Sequence, residues 1–297
     1  MTFCLHVHSG LNNKLVPLLG LLRIAKKENR KVKCLWGNDA YINRVLFTFN
    51  DLFESIDNLE LITIEEYMNL FNNQNNKIYN KSGSDRDRSG VIYTNNDKNE
   101  MVLFHKVVHL ISYQDDNAVG NALGNYVPYP REIKEIKPII SELREIAKLL
   151  KPVEKIQTRI NSTIENFKDN NVIGLHIRTT DGGFTDIPSK DVFGFIKNMI
   201  HENHGSKIYI SCDTLALENE IKKTFPNNIL YFTNPFGDTY SEKYNRSSWG
   251  TMNALCEMFI LSKCDKFYGT PGSSLSFMVW LLRNDKLLDF WCKNPWN

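Results

Sequence analysis

The sequence is notable first for what it lacks. It has no cysteine pair at CxxC spacing and no Cys/His cluster at metal-ligand spacing, which argues against structural zinc. Its six cysteines, Cys4, Cys34, Cys212, Cys256, Cys264 and Cys292, stand mostly within apolar runs. They read as small buried hydrophobes in a reducing compartment. No run of about 18 apolar residues occurs, so no transmembrane helix is expected. The opening "MTFCLHVHSG" reads as a strand, without the basic start and long apolar core of a signal peptide. The expectation is a cytoplasmic protein, at most peripheral to a membrane. There is also no strong charge: the formal net value is +2, which argues against a dedicated nucleic-acid binder. The basic cluster from Arg23 to Lys33 reads as the solvated face and C-terminal end of a helix. Finally, there is no GxxxxGK[ST] loop, no full GxGxxG and no DxD pair flanked by apolar strand. That argues against an ATPase and against a transferase holding its nucleotide through a metal, and nothing singles out NAD.

What is present is the pattern of a soluble α/β protein. Hydrophobic residues make up 42% and charged residues 24% of 297, enough for two domains of ordinary size. "TFCLHVH", "NNKLVPLLGLLRIAKKEN" and "KVKCLWG" read as strand, helix and strand, the start of a parallel doubly wound sheet. "NRVLFTFNDLF" reads as a further helix and "LELIT" as a strand. Residues 72–100 are poor in large apolar residues and suit a long exposed loop. An amphipathic helical stretch over about 131–168, broken at Pro138 and Pro152, suits a connector. After it the strand–helix rhythm returns from "NVIGLHI" to "SSLSFMVWLLR". The expected organisation is two facing Rossmann-like domains, 1–150 and 151–297, with a ligand cleft between them.

In open parallel sheets, ligands bind beyond the carboxyl ends of the strands. Four places in the sequence fall there. In "IGLHIRTTDGGFTD" His176 and Arg178 share one face of a strand, and Asp181 and Asp186 follow on a glycine-loosened loop. Arginine offers a planar fork of donors suited to a phosphate, and a loop carboxylate could handle a proton. The structural alternative is an Arg178–Asp181 ion pair with His176 as a satisfied core residue. Asp213 ends the next strand, where it could serve a ligand or cap the following helix. Glu257 stands in an otherwise apolar helix, where a carboxylate is costly unless it meets donors. Gly269, Thr270, Gly272, Ser273 and Ser274 form a Gly/Ser-rich strand-to-helix turn, either an anion site or an ordinary serine cap. The fourth place is "HSGLNNKL", where Gly10 permits close backbone approach.

The order "HIRTTD", "YISCDTLALENEIKKTFPN", "ALCEMFILSKCDKFYGTPGSSLSFMVWLL" resembles the three motifs of the fucosyltransferase superfamily. That group includes the α1,6-fucosyltransferases, the nodulation fucosyltransferases and the protein O-fucosyltransferases. "GLNNKLVPLLGLLRIAKKENRKV" also looks like their first glycine-asparagine loop and helix, with Gly10, Asn12 and Asn13 in that loop. The resemblance implies a GT-B architecture and inverting, metal-independent transfer of a sugar, fucose from GDP-fucose, to a hydroxyl of a glycan or glycolipid acceptor. It implies no cofactor beyond the donor substrate. Carried over by position, Arg178 contacts the diphosphate and His176 lies against the nucleotide. Asp213 and Thr270 belong with the donor site, Glu257 takes the place of the guanine-reading acid, and Gly272, Ser273 and Ser274 hold phosphate. Asp186 falls where the α1,6 enzymes carry a carboxylate base. The sequence departs from the pattern at Thr179, which replaces a second arginine, and at Asp186, which is Asp rather than Glu. Those departures leave open a xylose or rhamnose donor, or a catalytically silent nucleotide- or glycan-binding module.

Overall fold

The computed structural model describes residues 2–7, 10–37, 47–72, 77–79, 102–107, 139–179, 189–244, 247–283 and 289–290. Its strands pair in parallel throughout, as expected where crossover helices join them. They form two five-stranded sheets, one in each of two compact units. The chain passes from the first unit to the second between Val153 and Glu154.

The first unit contains β1 (Thr2–Val7), α1 (Leu11–Lys27), β2 (Lys31–Trp36), β3 (Leu59–Leu61), α2 (Ile64–Asn72), β4 (Lys77–Tyr79), β5 (Val102–Val107) and α3 (Ile140–Ala147). The sheet order is β3-β2-β1-β5-β4. Phe3, Cys4, Leu5 and Val7 of β1 are fully buried, as a central strand covered on both faces requires. Within the basic cluster, Arg23 is buried rather than solvated, and its guanidinium meets Glu142 of α3 at 2.9 Å.

Two expectations need correction here. The described part of "NRVLFTFNDLF" forms only a short 3-10 turn, Phe49–Asp51. Thr48 and Asp51 close a capping box, with the Thr48 amide and hydroxyl donating to Asp51 Oδ2 at 2.8 and 2.7 Å. Phe49 packs against Trp36 and Phe53, with ring centroids 5.6 and 5.0 Å apart. Burying these rings settles the segment as a turn. Within 72–100, expected as a loop throughout, Lys77–Tyr79 forms the edge strand β4, paired with β5.

The second unit contains α4 (Glu154–Ile164), β6 (Val172–Ile177), α5 (Ser189–Glu202), β7 (Lys207–Cys212), α6 (Leu215–Thr224), β8 (Ile229–Leu230), α7 (Ser248–Ser262), β9 (Lys266–Gly269), α8 (Ser274–Leu282) and β10 (Asp289–Phe290). The order is β10-β9-β6-β7-β8. Strand alternation divides the sheet into two faces. Ile173, Leu175 and Ile177 of β6 and Ile208, Ile210 and Cys212 of β7 pack against Val192, Ile196 and Met199 of α5 and Leu217 and Ile221 of α6. Each such side chain contributes about 1.5–3 kcal/mol when fully buried. The intervening residues, among them His176, Tyr209 and Ser211, take the opposite face, on the side of α7 and α8. The polar residues of this unit are thereby collected on one side of its sheet. No helix among the described residues is long and apolar enough to cross a membrane.

Candidate functional site

The order β10-β9-β6-β7-β8 reverses direction between β6 and β9, and such a reversal opens a crevice beyond the carboxyl ends of the two strands. Here β6 ends in His176 and Ile177 and β9 in Gly269. Arg178 and Thr270 follow immediately. The buried Thr270 hydroxyl joins the two strand ends, donating to His176 O at 2.7 Å and accepting from Arg178 N at 3.1 Å. Arg178 leaves the strand half-buried, at the mouth of the crevice.

After Thr270 the chain reverses in one tight turn. Ser273 N donates to Thr270 O at 3.3 Å, with Pro271 and Gly272 between them. Gly272 has φ 70°, so the turn is of type II, with proline presetting its first central position and glycine supplying the second. This delivers Ser273 to the N-cap of α8. An N-cap serine ordinarily accepts a hydrogen bond from an amide of the first turn. Ser273 does not: it is 2% exposed, and its Oγ has no hydrogen-bond partner among the described residues. Ser274 begins the helix, half-buried.

His176 is 4% exposed, and its Nδ1 lies 2.7 Å from Ser276 Oγ. Burial, and then the Arg178 guanidinium, push its pKa down to about 3, with Asp213 opposing. The imidazole is therefore neutral at ordinary pH. Asp213 does not cap α6, whose N-cap residue is Thr214. Its carboxylate instead accepts from Thr179, the residue standing where a second arginine was expected.

Glu257 is 5% exposed and lies inward of these residues, on α7. Its burial is met by the ammonium of Lys243, 2.8 Å from Oε1 as a charge contact rather than an aligned hydrogen bond. Lys243 also donates to Glu218 of α6 at 2.7 Å. The Tyr240 and Tyr244 hydroxyls donate to Glu218 as well, and Lys222 does so at 3.1 Å. Burial raises the pKa of Glu257 against the pull of Lys243. At Glu218 burial acts the same way, but Lys243 and the two tyrosines outweigh it and hold the carboxyl low. The two glutamates also hold the Lys243 ammonium in its charged form despite burial.

Gly10, Asn12 and Asn13 lie in the first unit, at the start of α1. Gly10 is the N-cap residue, and the largely buried Asn12 has an Oδ1 without a hydrogen-bond partner. Asp181 and Asp186 fall outside the described residues. The structure thus links His176, Arg178, Asp213 and the 270–274 turn, with Glu257 held on the same side of the sheet. Sequence reasoning missed Ser276, Lys243 and Glu218, and noted Thr179 only as the replacement of a second arginine. Of these, Ser276 carried a visible signal, as a polar residue inside the apolar helix "SSLSFMVWLL". Among the described residues, no group of three or more His, Cys, Asp or Glu side chains could hold a metal ion.

No protein-family model and no curated protein sequence matches the chain. Solved structures do. The fucosyltransferase NodZ from Bradyrhizobium is similar at a TM-score of 0.65 and 14% identity, over 95% of this chain and 93% of that one. POFUT1 in complex with GDP is similar at 0.58 and 11%, over 97% and 96%. Arabidopsis thaliana FUT1 in complex with GDP is similar at 0.56 and 12%, over 96% and 71%. The chain has the α/β fold of these proteins, the GT-B fold of the fucosyltransferases.

Proposed function

We propose that this protein is an inverting, metal-independent glycosyltransferase that moves fucose from GDP-fucose to a hydroxyl of a glycan or glycolipid acceptor. The observation that carries the reading is the crevice between β6 and β9. Arg178 follows one of its strands and Ser273, whose buried Oγ has no partner among the described residues, caps the helix that follows the other, in a fold shared with proteins crystallised with GDP and GDP-fucose. A buried hydroxyl without a partner costs about 1–3 kcal/mol, and a phosphate oxygen would satisfy it. The first-turn amides of α8 and the Arg178 guanidinium supply the positive field that a diphosphate needs, without a metal.

In this mechanism the acceptor hydroxyl attacks the anomeric carbon from the face opposite the nucleotide. The bond from that carbon to the β-phosphate oxygen breaks as the new glycosidic bond forms. Asp186 takes the acceptor's proton, and Arg178 with the 270–274 turn stabilises the departing GDP. Asp213 keeps the loop after β6 in place through Thr179. Glu257 reads the guanine by exchanging the Lys243 ammonium for the base's N–H donors.

The test is turnover of GDP-fucose in the presence of EDTA. Release of GDP, slow alone and faster with an acceptor glycan, supports the reading. Tight GDP binding with no turnover against any acceptor would make the protein a binding module. Turnover of a xylose or rhamnose donor in preference to GDP-fucose would reassign the sugar.

A further inference from the structure

Ser276 stands unusually close to β9. A Cβ placed on Gly269 would meet both the Cβ and the Oγ of Ser276 at 2.8 Å, so a side chain on that strand residue would drive the helix away. This approach brings the fully buried Ser276 hydroxyl to two groups at once. It accepts from Thr270 N at 2.9 Å and lies 2.7 Å from His176 Nδ1.

Among the described residues these are the two partners of the Ser276 hydroxyl. A serine hydroxyl carries one proton. The Thr270 amide can only donate, so among the described residues the serine proton has one destination, His176 Nδ1. The serine oxygen could accept from both groups, but a proton on Nδ1 would leave the serine O–H buried without an acceptor among the described residues, an arrangement folded proteins avoid. We infer that Ser276 is a positioning residue whose hydroxyl donates to His176 Nδ1 and fixes the imidazole as the neutral tautomer with its proton on Nε2.

Burial and the groups around the ring support this assignment. Among the described residues, Arg178 at the end of the same strand disfavours a second proton and Asp213 beyond β7 favours one, while α8 presents only the neutral serine. The consequence for catalysis rests on the glycosyltransferase reading. His176 then neither takes nor gives the reaction's proton. The cationic charge at the strand end belongs to Arg178.

The tautomer is directly observable in the protein labelled with nitrogen-15 histidine. The His176 signals are identified by their loss in His176→Gln. The expected result is a bare Nδ1 and a protonated Nε2, unchanged from about pH 5.5 to 8, where a free histidine titrates. In Ser276→Ala the signals should show mixed tautomers, and GDP affinity should fall roughly 3- to 10-fold, the worth of one hydrogen bond. A wild-type spectrum with the proton on Nδ1, or titrating in that range, overturns the inference, and needs no variant to fold. The assigned tautomer in a protein that binds no GDP would leave the inference standing and remove the donor reading.

Discussion

Asp213 holds Thr179 by both of its polar atoms. The Thr179 amide donates to Oδ2 at 2.8 Å and its hydroxyl to Oδ1 at 3.1 Å. The carboxylate at the end of β7 thereby fixes the first loop residues after β6, directly beside Arg178. Asp213→Ala should cost about 1–3 kcal/mol, because a partly buried amide and hydroxyl lose their acceptor. GDP affinity should fall with it, as Arg178 loses its anchored neighbour. Thr179→Val should be milder, since the amide bond survives. Denaturant melts and calorimetric titration of the two variants check the order.

Among the described residues, Lys243 is the only cation in contact with both buried glutamates, Glu218 and Glu257. Removing it takes the cation from buried Glu257 and leaves Glu218 with Lys222 and the two tyrosine hydroxyls, so Lys243→Met should destabilise the protein by about 3–5 kcal/mol. A melt at neutral pH checks this. Adding Glu218→Gln and Glu257→Gln to that variant should recover part of the loss.

The same pair sets a pH dependence with two signs. Glu218 is held below its ordinary value of 4.5, so its contribution is present above that value and is lost as pH falls through the lowered one. Glu257 is raised above 4.5, so its contribution is complete below that value and is lost as pH rises through the raised one. Glu218→Gln should therefore flatten the acid limb of the stability profile, and Glu257→Gln the limb on the higher-pH side. Melts from acid to neutral pH separate the two.

Ser273→Ala should divide binding from stability. The hydroxyl has no partner to lose among the described residues, so the variant should melt at or above the parent's temperature. GDP affinity should drop by about tenfold, as for a hydrogen bond to a charged group. Equal affinity would take Ser273 out of the phosphate site.

Asp186→Ala should leave GDP binding intact and slow transfer by about 10²–10⁴-fold, the usual worth of a positioned base. Undiminished transfer would remove the assignment.

The parts of this site legible in the sequence were those written in neighbouring residues. The alternation in "VIGLHI" set Leu175 and Ile177 on one side of β6 and His176 on the other. The Thr-Pro-Gly-Ser run likewise announced a turn opening a helix. The partnerships were not legible, because they join residues far apart in the chain. Ser276 reaches His176 across 100 positions and Asp213 reaches Thr179 across 34. Glu257 was recognisable as a carboxylate in need of donors, but Lys243, supplied from a separate turn, was not. Glu218 is one of several charges in "LALENEIKK", and its contacts with Tyr240, Tyr244 and Lys243 from a separate turn make it interior. The 3-10 turn at Phe49 was missed for a related reason: long-range aromatic packing overrode a helical pattern.

The central claim is that the crevice between β6 and β9 holds the diphosphate of a guanine nucleotide without a metal. Thermal stability measured with GDP, UDP and ADP, each with and without EDTA, tests it most directly. A ligand at 100 times its dissociation constant adds about 2.7 kcal/mol. GDP should give the largest shift, EDTA should leave it unchanged, and Arg178→Ala should abolish it. A shift that favours UDP or ADP, or that disappears with EDTA, would contradict the claim.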